Sequence, residues 1–169
     1  MLLRILTLVM GILGAAALSQ APEFAQQYLQ RLAGTADILT EQVAALDARA
    51  SARNMNRYDY IRRLLANGDP AIRAEGMALS DLLARERDTR AALAALRDAP
   101  PLLMAWTAFG HLDPVIAWRT LDDFKPALPL TAAGALHAAA GFLGLASLFR
   151  LLVFLLRPRR RLRQEPYLR

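Results

Sequence analysis

From Leu130 to Phe149 the chain runs for twenty residues, "LTAAGALHAAAGFLGLASLF", without a formal charge, and "LLVFLL" prolongs the run beyond Arg150. A helix needs about 20 apolar residues to cross the hydrocarbon core of a bilayer, and a helix satisfies its own backbone groups there. Residues 127–157 therefore read as a C-terminal transmembrane helix. A tilt, or an Arg150 that snorkels toward the headgroups, absorbs the surplus length.

The flank of this run sets its direction. Arg157, Arg159, Arg160, Arg161 and Arg163 follow at once, with Pro158 ending the helix. Basic residues this close to a span stay on the cytosolic side. The formal charge of +6 is concentrated here: residues 150–169 carry seven arginines against Glu165, residues 22–149 carry 13 basic and 14 acidic residues, and residues 1–21 carry only Arg4. A nucleic-acid-binding domain would show its basic footprint on the folded part, so no nucleic-acid partner is expected. The tail, residues 158–169, reads as a cytoplasmic anchor whose partners are membrane lipids with anionic headgroups.

The N-terminus, "MLLRILTLVMGILGAAALSQAP", offers a second span. Ala17-Leu18-Ser19 resembles the cleavage site of a signal peptide, but the twenty residues from Leu2 to Ala21 hold a single charge, Arg4, near the end. A retained helix over residues 1–21 is the preferred reading, with cleavage as the alternative. With both spans in place, both termini are cytoplasmic and the middle region is translocated. Lys125 is the only lysine among 21 basic residues, and alanine is abundant. This bias suggests a bacterial genome, in which the membrane is the inner membrane and the middle region is periplasmic. Spans associate through small side chains that let backbones approach. Gly11 with Ala15, and Gly134 with Ala138 and Gly141 on one face, are the candidate packing residues, although alanine-rich helices also meet such spacing by chance.

Between the spans the periodicity is helical. Leu29, Leu32, Ala36, Leu39, Val43, Leu46, Ala50 and Arg53 alternate spacings of three and four, the pattern of a coiled-coil seam. The phase then drifts toward Tyr58, Ile61 and Leu65. The pattern predicts one helix from about Pro22 to Ala66, about 65 Å long at 1.5 Å per residue. "NGDP" at 67–70 predicts a turn in which Asn67-Gly68 can be left-handed, Asp69 caps the next helix and Pro70 takes its first position. A weaker seam through Ile72, Leu79, Leu82, Leu93 and Leu96 follows to Asp98. Residues 22–98 thus read as a long antiparallel helical hairpin.

"APP" at 99–101 ends that arm. Residues 99–126 read as short interfacial helices broken at Gly110, with Asp113 and Pro114 starting the second. Trp106, Phe109, Trp118 and Phe124 cluster here, and aromatic rings favour the headgroup zone; closing the base of the hairpin is the competing role. Immediately after the first span, Glu23, Gln27, Tyr28 and Arg31 form a polar cluster. It reads as interfacial anchoring with Tyr28 at headgroup level, or as a recognition collar for a partner.

The chemistry offered by the side chains is sparse. There is no cysteine, hence no disulfide or thiolate site. His111 and His137 are far apart in sequence, and His137 reads as a hydrogen-bonding group between the spans. Glu86 and Arg90 read as an i,i+4 pair. No phosphate loop, nucleophile elbow or HExxH is present, so no catalytic, metal or cofactor site is expected.

Three stretches, "PEFAQQYLQR" from Pro22, "DPAIR" from Asp69 and "FKPALPLT" from Phe124, resemble an uncharacterised bacterial family of two-span inner-membrane proteins, domain of unknown function 2937. The resemblance implies two spans around a helical region and brings no activity. The expected fold is an all-α membrane protein. Its expected role is to present the hairpin to an envelope protein partner or to its own copies as a homo-oligomer; the alternative is a subunit of an oligomeric transport or channel assembly.

Overall fold

The apolar and amphipathic runs form helices in the computed structural model, which describes residues 1–127 and 130–156. Among the described residues every regular element is helical: α1 (Leu2–Ser19), α2 (Ala21–Ser51), α3 (Arg57–Leu65), α4 (Pro70–Asp98), α5 (Met104–Gly110), α6 (Pro114–Asp122) and α7 (Ala132–Leu156). They sort into two units. One joins Met1–Ala21 to the described residues after Leu128, and the other is Pro22–Ala127.

In the first unit α1 packs on α7. Both are long and apolar enough to cross a bilayer, and only 22% and 11% of their apolar windows are buried in the protein. The core helix of a water-soluble domain would be mostly covered. The pair is antiparallel: Gly14 faces Gly141, Gly11 faces Phe142, and Arg4 and Leu8 line a groove with Ser147 and Arg150. Small residues make this approach possible. A Cβ on Gly14 would lie 2.2 Å from the Gly141 carbonyl oxygen, and one on Gly141 would lie 2.1 Å from that of Gly14. At the start of α7, the Thr131 hydroxyl accepts the Gly134 N–H at 3.1 Å, meeting one of the donors a helix start leaves free.

The second unit corrects the single helix expected over residues 22–66. α2 stops at Ser51 and a separate helix, α3, begins at Arg57. The break is built by asparagines. Asn54 takes φ 54°, Met55 N–H reaches the Ala50 carbonyl at 3.1 Å, and Asn54 N–H reaches that of Ser51 at 2.9 Å. This is a Schellman termination with a left-handed residue just past the helix. Asn56 then caps α3, its side chain accepting Asp59 N–H at 2.9 Å while its amide donates to the Asp59 carboxylate at 2.6 Å. The phase drift after Arg53 marks this corner.

At residues 67–70 the expected cap forms, but by another backbone route. No described glycine has positive φ, so Gly68 is not left-handed. Instead the Asn67 side chain accepts Asp69 N–H at 2.9 Å, Asp69 accepts Ala71 N–H at 2.8 Å, and the Arg73 guanidinium donates to the carbonyls of Asn67 and Gly68. Side-chain hydrogen bonds hold a turn that backbone handedness does not.

Leu46 of α2, Ile61 of α3 and Leu79 of α4 form one buried cluster, flanked by Tyr60, Leu64, Leu82 and Leu83. Gly76 lets α3 sit close on α4, since a Cβ there would be 3.0 Å from the Leu65 side chain. Polar contacts join α2 to α4: Arg49 pairs with Glu75 at 3.8 Å, and Arg90 donates to the Thr40 hydroxyl at 3.1 Å. The residue numbers of these partners rise on one helix as they fall on the other. Arg57 closes the corner on Asp47 at 2.5 Å, and the Glu86–Arg90 pair read from the sequence forms at 2.5 Å.

Candidate functional site

The polar cluster that opens α2 is turned into its own unit. Tyr28 is fully buried, its ring covered by protein. Its phenol donates to the His111 carbonyl at 3.0 Å and accepts Asp113 N–H at 2.9 Å. Asp113 in turn caps α6 by accepting Val115 N–H and Ile116 N–H at 2.8 and 3.0 Å. Gln27 bonds Glu23 at 2.9 Å and the Lys125 carbonyl at 3.0 Å, and Arg31 pairs with Asp123. Phe24 stacks on Tyr28 and tilts against Phe124. Glu23, Gln27, Tyr28 and Arg31 therefore clamp residues 111–125 onto α2. The Arg31–Asp123 pair is exposed and contributes little, about 0–1 kcal/mol; the buried phenol is the stronger element.

Burial raises the Tyr28 pKa above its ordinary 10.0, the Asp113 N–H opposes the rise, and the nearby Asp113 carboxylate adds to it. The fold thus favours the neutral phenol. Its contribution is complete below the unfolded value and is lost as pH climbs through the higher folded value. Tyr28→Phe leaves the Asp113 N–H and His111 carbonyl without their partner, at a cost of about 1–3 kcal/mol. Denaturant midpoints measured from neutral pH to beyond 10.0 should show an alkaline decline in the native chain and a smaller one in the variant.

Helices α5 and α6 invert the usual pattern. Ala105 and Ala108 of α5, and Ile116 and Thr120 of α6, face inward. The large residues face out: Trp106 is 67% exposed, Phe109 61% and Trp118 70%. Phe124, the fourth ring of this cluster, instead packs against Phe24 of α2. A soluble surface rarely gathers exposed apolar side chains of this size.

In the first unit Gly11, Gly134 and Gly141 are buried, and Ala15 and Ala138 half-buried. Gly14, which meets Gly141 across the pair, escaped the sequence reading because it stands three residues from Gly11 rather than four. His137 also differs from its expected role. Its Nδ1 donates to the Ala133 carbonyl of its own helix at 2.8 Å rather than across the pair, and its buried Nε2 has no partner among the described residues.

An open groove of about 620 Å³ in the second unit is lined by Tyr28, Arg85, Asp88, Thr89, His111 and Arg119, among others. It mixes charges of both signs. Among the described residues no three of His, Cys, Asp or Glu gather as a metal-binding group. Arg157, Arg159, Arg160 and Arg161 lie outside the described residues.

The profile of a family described as protein of unknown function (DUF2937) matches residues 2–162. The chain belongs to this family. The match takes in α1 through α7, so both units fall within it. No curated protein and no solved structure matches the chain.

Proposed function

We propose that this DUF2937 member is a non-enzymatic integral membrane protein of the bacterial inner membrane. Its two spans carry a periplasmic helical hairpin, α2 to α4, for protein–protein interaction or self-assembly. The observation behind this reading is the pairing of α2 with α4 in opposite senses around Leu46, Ile61 and Leu79, in a chain that also holds a pair of helices whose apolar surfaces are left bare. The arginine-rich tail gives the orientation. Since the chain has no cysteine, Asn67→Cys at the tip tests it. In intact cells a membrane-impermeant thiol-to-amine crosslinker should label the tip, yielding multiples of the chain's own mass or one heavier product with a second protein. Labelling only after lysis would reverse the orientation.

In this reading α5 and α6 lie in the headgroup zone on their aromatic faces. Trp106 and Trp118 are the only tryptophans, so the intrinsic emission reports on this segment alone. In reconstituted full-length protein, lipids brominated near the headgroup end of the acyl chains should quench most of that emission. Quenching by aqueous iodide with no effect of brominated lipid would place both rings in water and refute the interfacial position.

The second reading, a subunit of an oligomeric transport or channel assembly, draws on the outer side of α7. Ala140 and Gly144 are exposed there, and a Cβ on Gly144 would meet nothing within 4 Å. Such a small-residue face can accept the helix of another copy. Products at multiples of the chain's own mass favour this arrangement.

A further inference from the structure

Arg4 and Arg150 are each the single charge within a long apolar run, residues 1–21 and 130–156. The fold puts them together. Because α1 and α7 are antiparallel with Gly14 on Gly141, both side chains line one groove of about 290 Å³, with Thr7, Leu8, Phe142 and Ser147 among its walls. Neither guanidinium has an ion pair or hydrogen bond among the described residues. Residues 1–21 and 130–156 contain no Asp or Glu at all, so the paired spans supply no carboxylate to neutralise them. The Ser147 hydroxyl is likewise without a hydrogen bond among the described residues.

Two like charges in one groove of a membrane helix pair repel each other and lose hydration. Snorkelling relieves Arg4, which lies in the first turn of α1. It relieves Arg150 less well, because α7 continues through six apolar residues to Leu156, about 9 Å of helix beyond it. An anion that is itself tied to the bilayer answers both charges. A phosphodiester can accept from two guanidinium forks at once, and basic pockets between membrane helices suit lipid headgroups. The wall beside the arginines is apolar, with Leu8 and the ring of Phe142 in position to lie along an acyl chain.

We propose that this groove binds an anionic glycerophospholipid, with its phosphate held between Arg4 and Arg150, its headgroup near Ser147 and one acyl chain along Leu8 and Phe142. The proposal rests on α1 and α7 spanning a bilayer. It is separate from the contact of the basic tail with anionic lipid, since it requires a guanidinium from each span.

The test uses the full chain, first checked for resistance to alkaline extraction from membranes and then purified in mild detergent. Native mass spectrometry with phosphatidylglycerol, phosphatidylcholine or inorganic phosphate as probe reads retained ligand. Phosphatidylglycerol should stay bound through collisional removal of detergent, and Arg4→Gln or Arg150→Gln should each cut its retention tenfold or more. Arg4→Lys and Arg150→Lys, which keep the charge and the topology signal, should hold part of it. Glutamines at Arg157, Arg159, Arg160 and Arg161, which remove the looser contact of the tail with anionic lipid, should lower it by less than either groove substitution does. Equal retention of phosphatidylcholine, displacement of the lipid by inorganic phosphate, or loss only with the tail substitutions would each overturn the clamp. A chain that alkali extracts would instead refute the spans themselves.

Discussion

Gly14→Leu separates α1 from α7. A Cβ at this position would stand 2.2 Å from the Gly141 carbonyl oxygen and 2.7 Å from the Leu145 Cβ. Backbone cannot swing aside as a flexible side chain can, so the helices must move apart and lose contact along their length. Overpacking costs typically about 1–3 kcal/mol, and this clash belongs at the upper end. Since about 1.4 kcal/mol is tenfold in an equilibrium constant, the constant for association of the two helices should fall by well over that factor. Leu8→Cys and Leu143→Cys, which line the same groove, provide the readout in a chain free of cysteine. A short bifunctional thiol reagent should join them, so that the two ends remain linked after the middle region is cut by protease. Adding Gly14→Leu should abolish the link, whereas adding Gly144→Leu, where a Cβ meets nothing within 4 Å, should preserve it. Equal linking in both would mean that the glycine contact does not hold the pair.

Leu46→Ala is the largest expected loss in the second unit. Leu46 is fully buried where α2, α3 and α4 meet, against Ile61 and Leu79. Truncation removes its transfer energy and leaves a cavity that three helices cannot all close, at a cost of about 2–5 kcal/mol. Ile38→Ala, at a side chain 59% exposed on the same helix, should stay within about 0.5 kcal/mol. Urea unfolding of the full chain in detergent, followed by far-UV helicity, compares the two. Similar midpoints would remove Leu46 from the core.

The parts of this fold that were legible in the sequence are those written in local composition. An uncharged run of twenty residues forms a helix long and apolar enough to cross a bilayer, and Asp69-Pro70 and Asp113-Pro114 announce helix starts because cap and first turn are neighbours. The corner at residues 52–56 was half legible. Asn56 and Asp59 stand at capping spacing, but a seam running up to Arg53 masked them, and nothing in the residue type alone marks Asn54 as left-handed. The clamp was illegible for a different reason. Tyr28 is satisfied by the backbone of His111 and Asp113, 83 and 85 residues away, and backbone partners leave no trace in residue type. The same holds for Gly14, whose importance lies in the carbonyl that it meets across the pair, and for Arg4 and Arg150, which become a pair only through the register of their helices.

The clamp also has a topological effect. Gln27 and Lys125 are joined by hydrogen bonds across 98 residues of chain, with Arg31 on Asp123 and Phe24 on Phe124 beside them. The polypeptide therefore enters and leaves the second unit through one doorway, latched from inside. What lies between behaves as a cassette: it could be lengthened at the 67–70 tip, or exchanged whole, without either of its two exits having to shift.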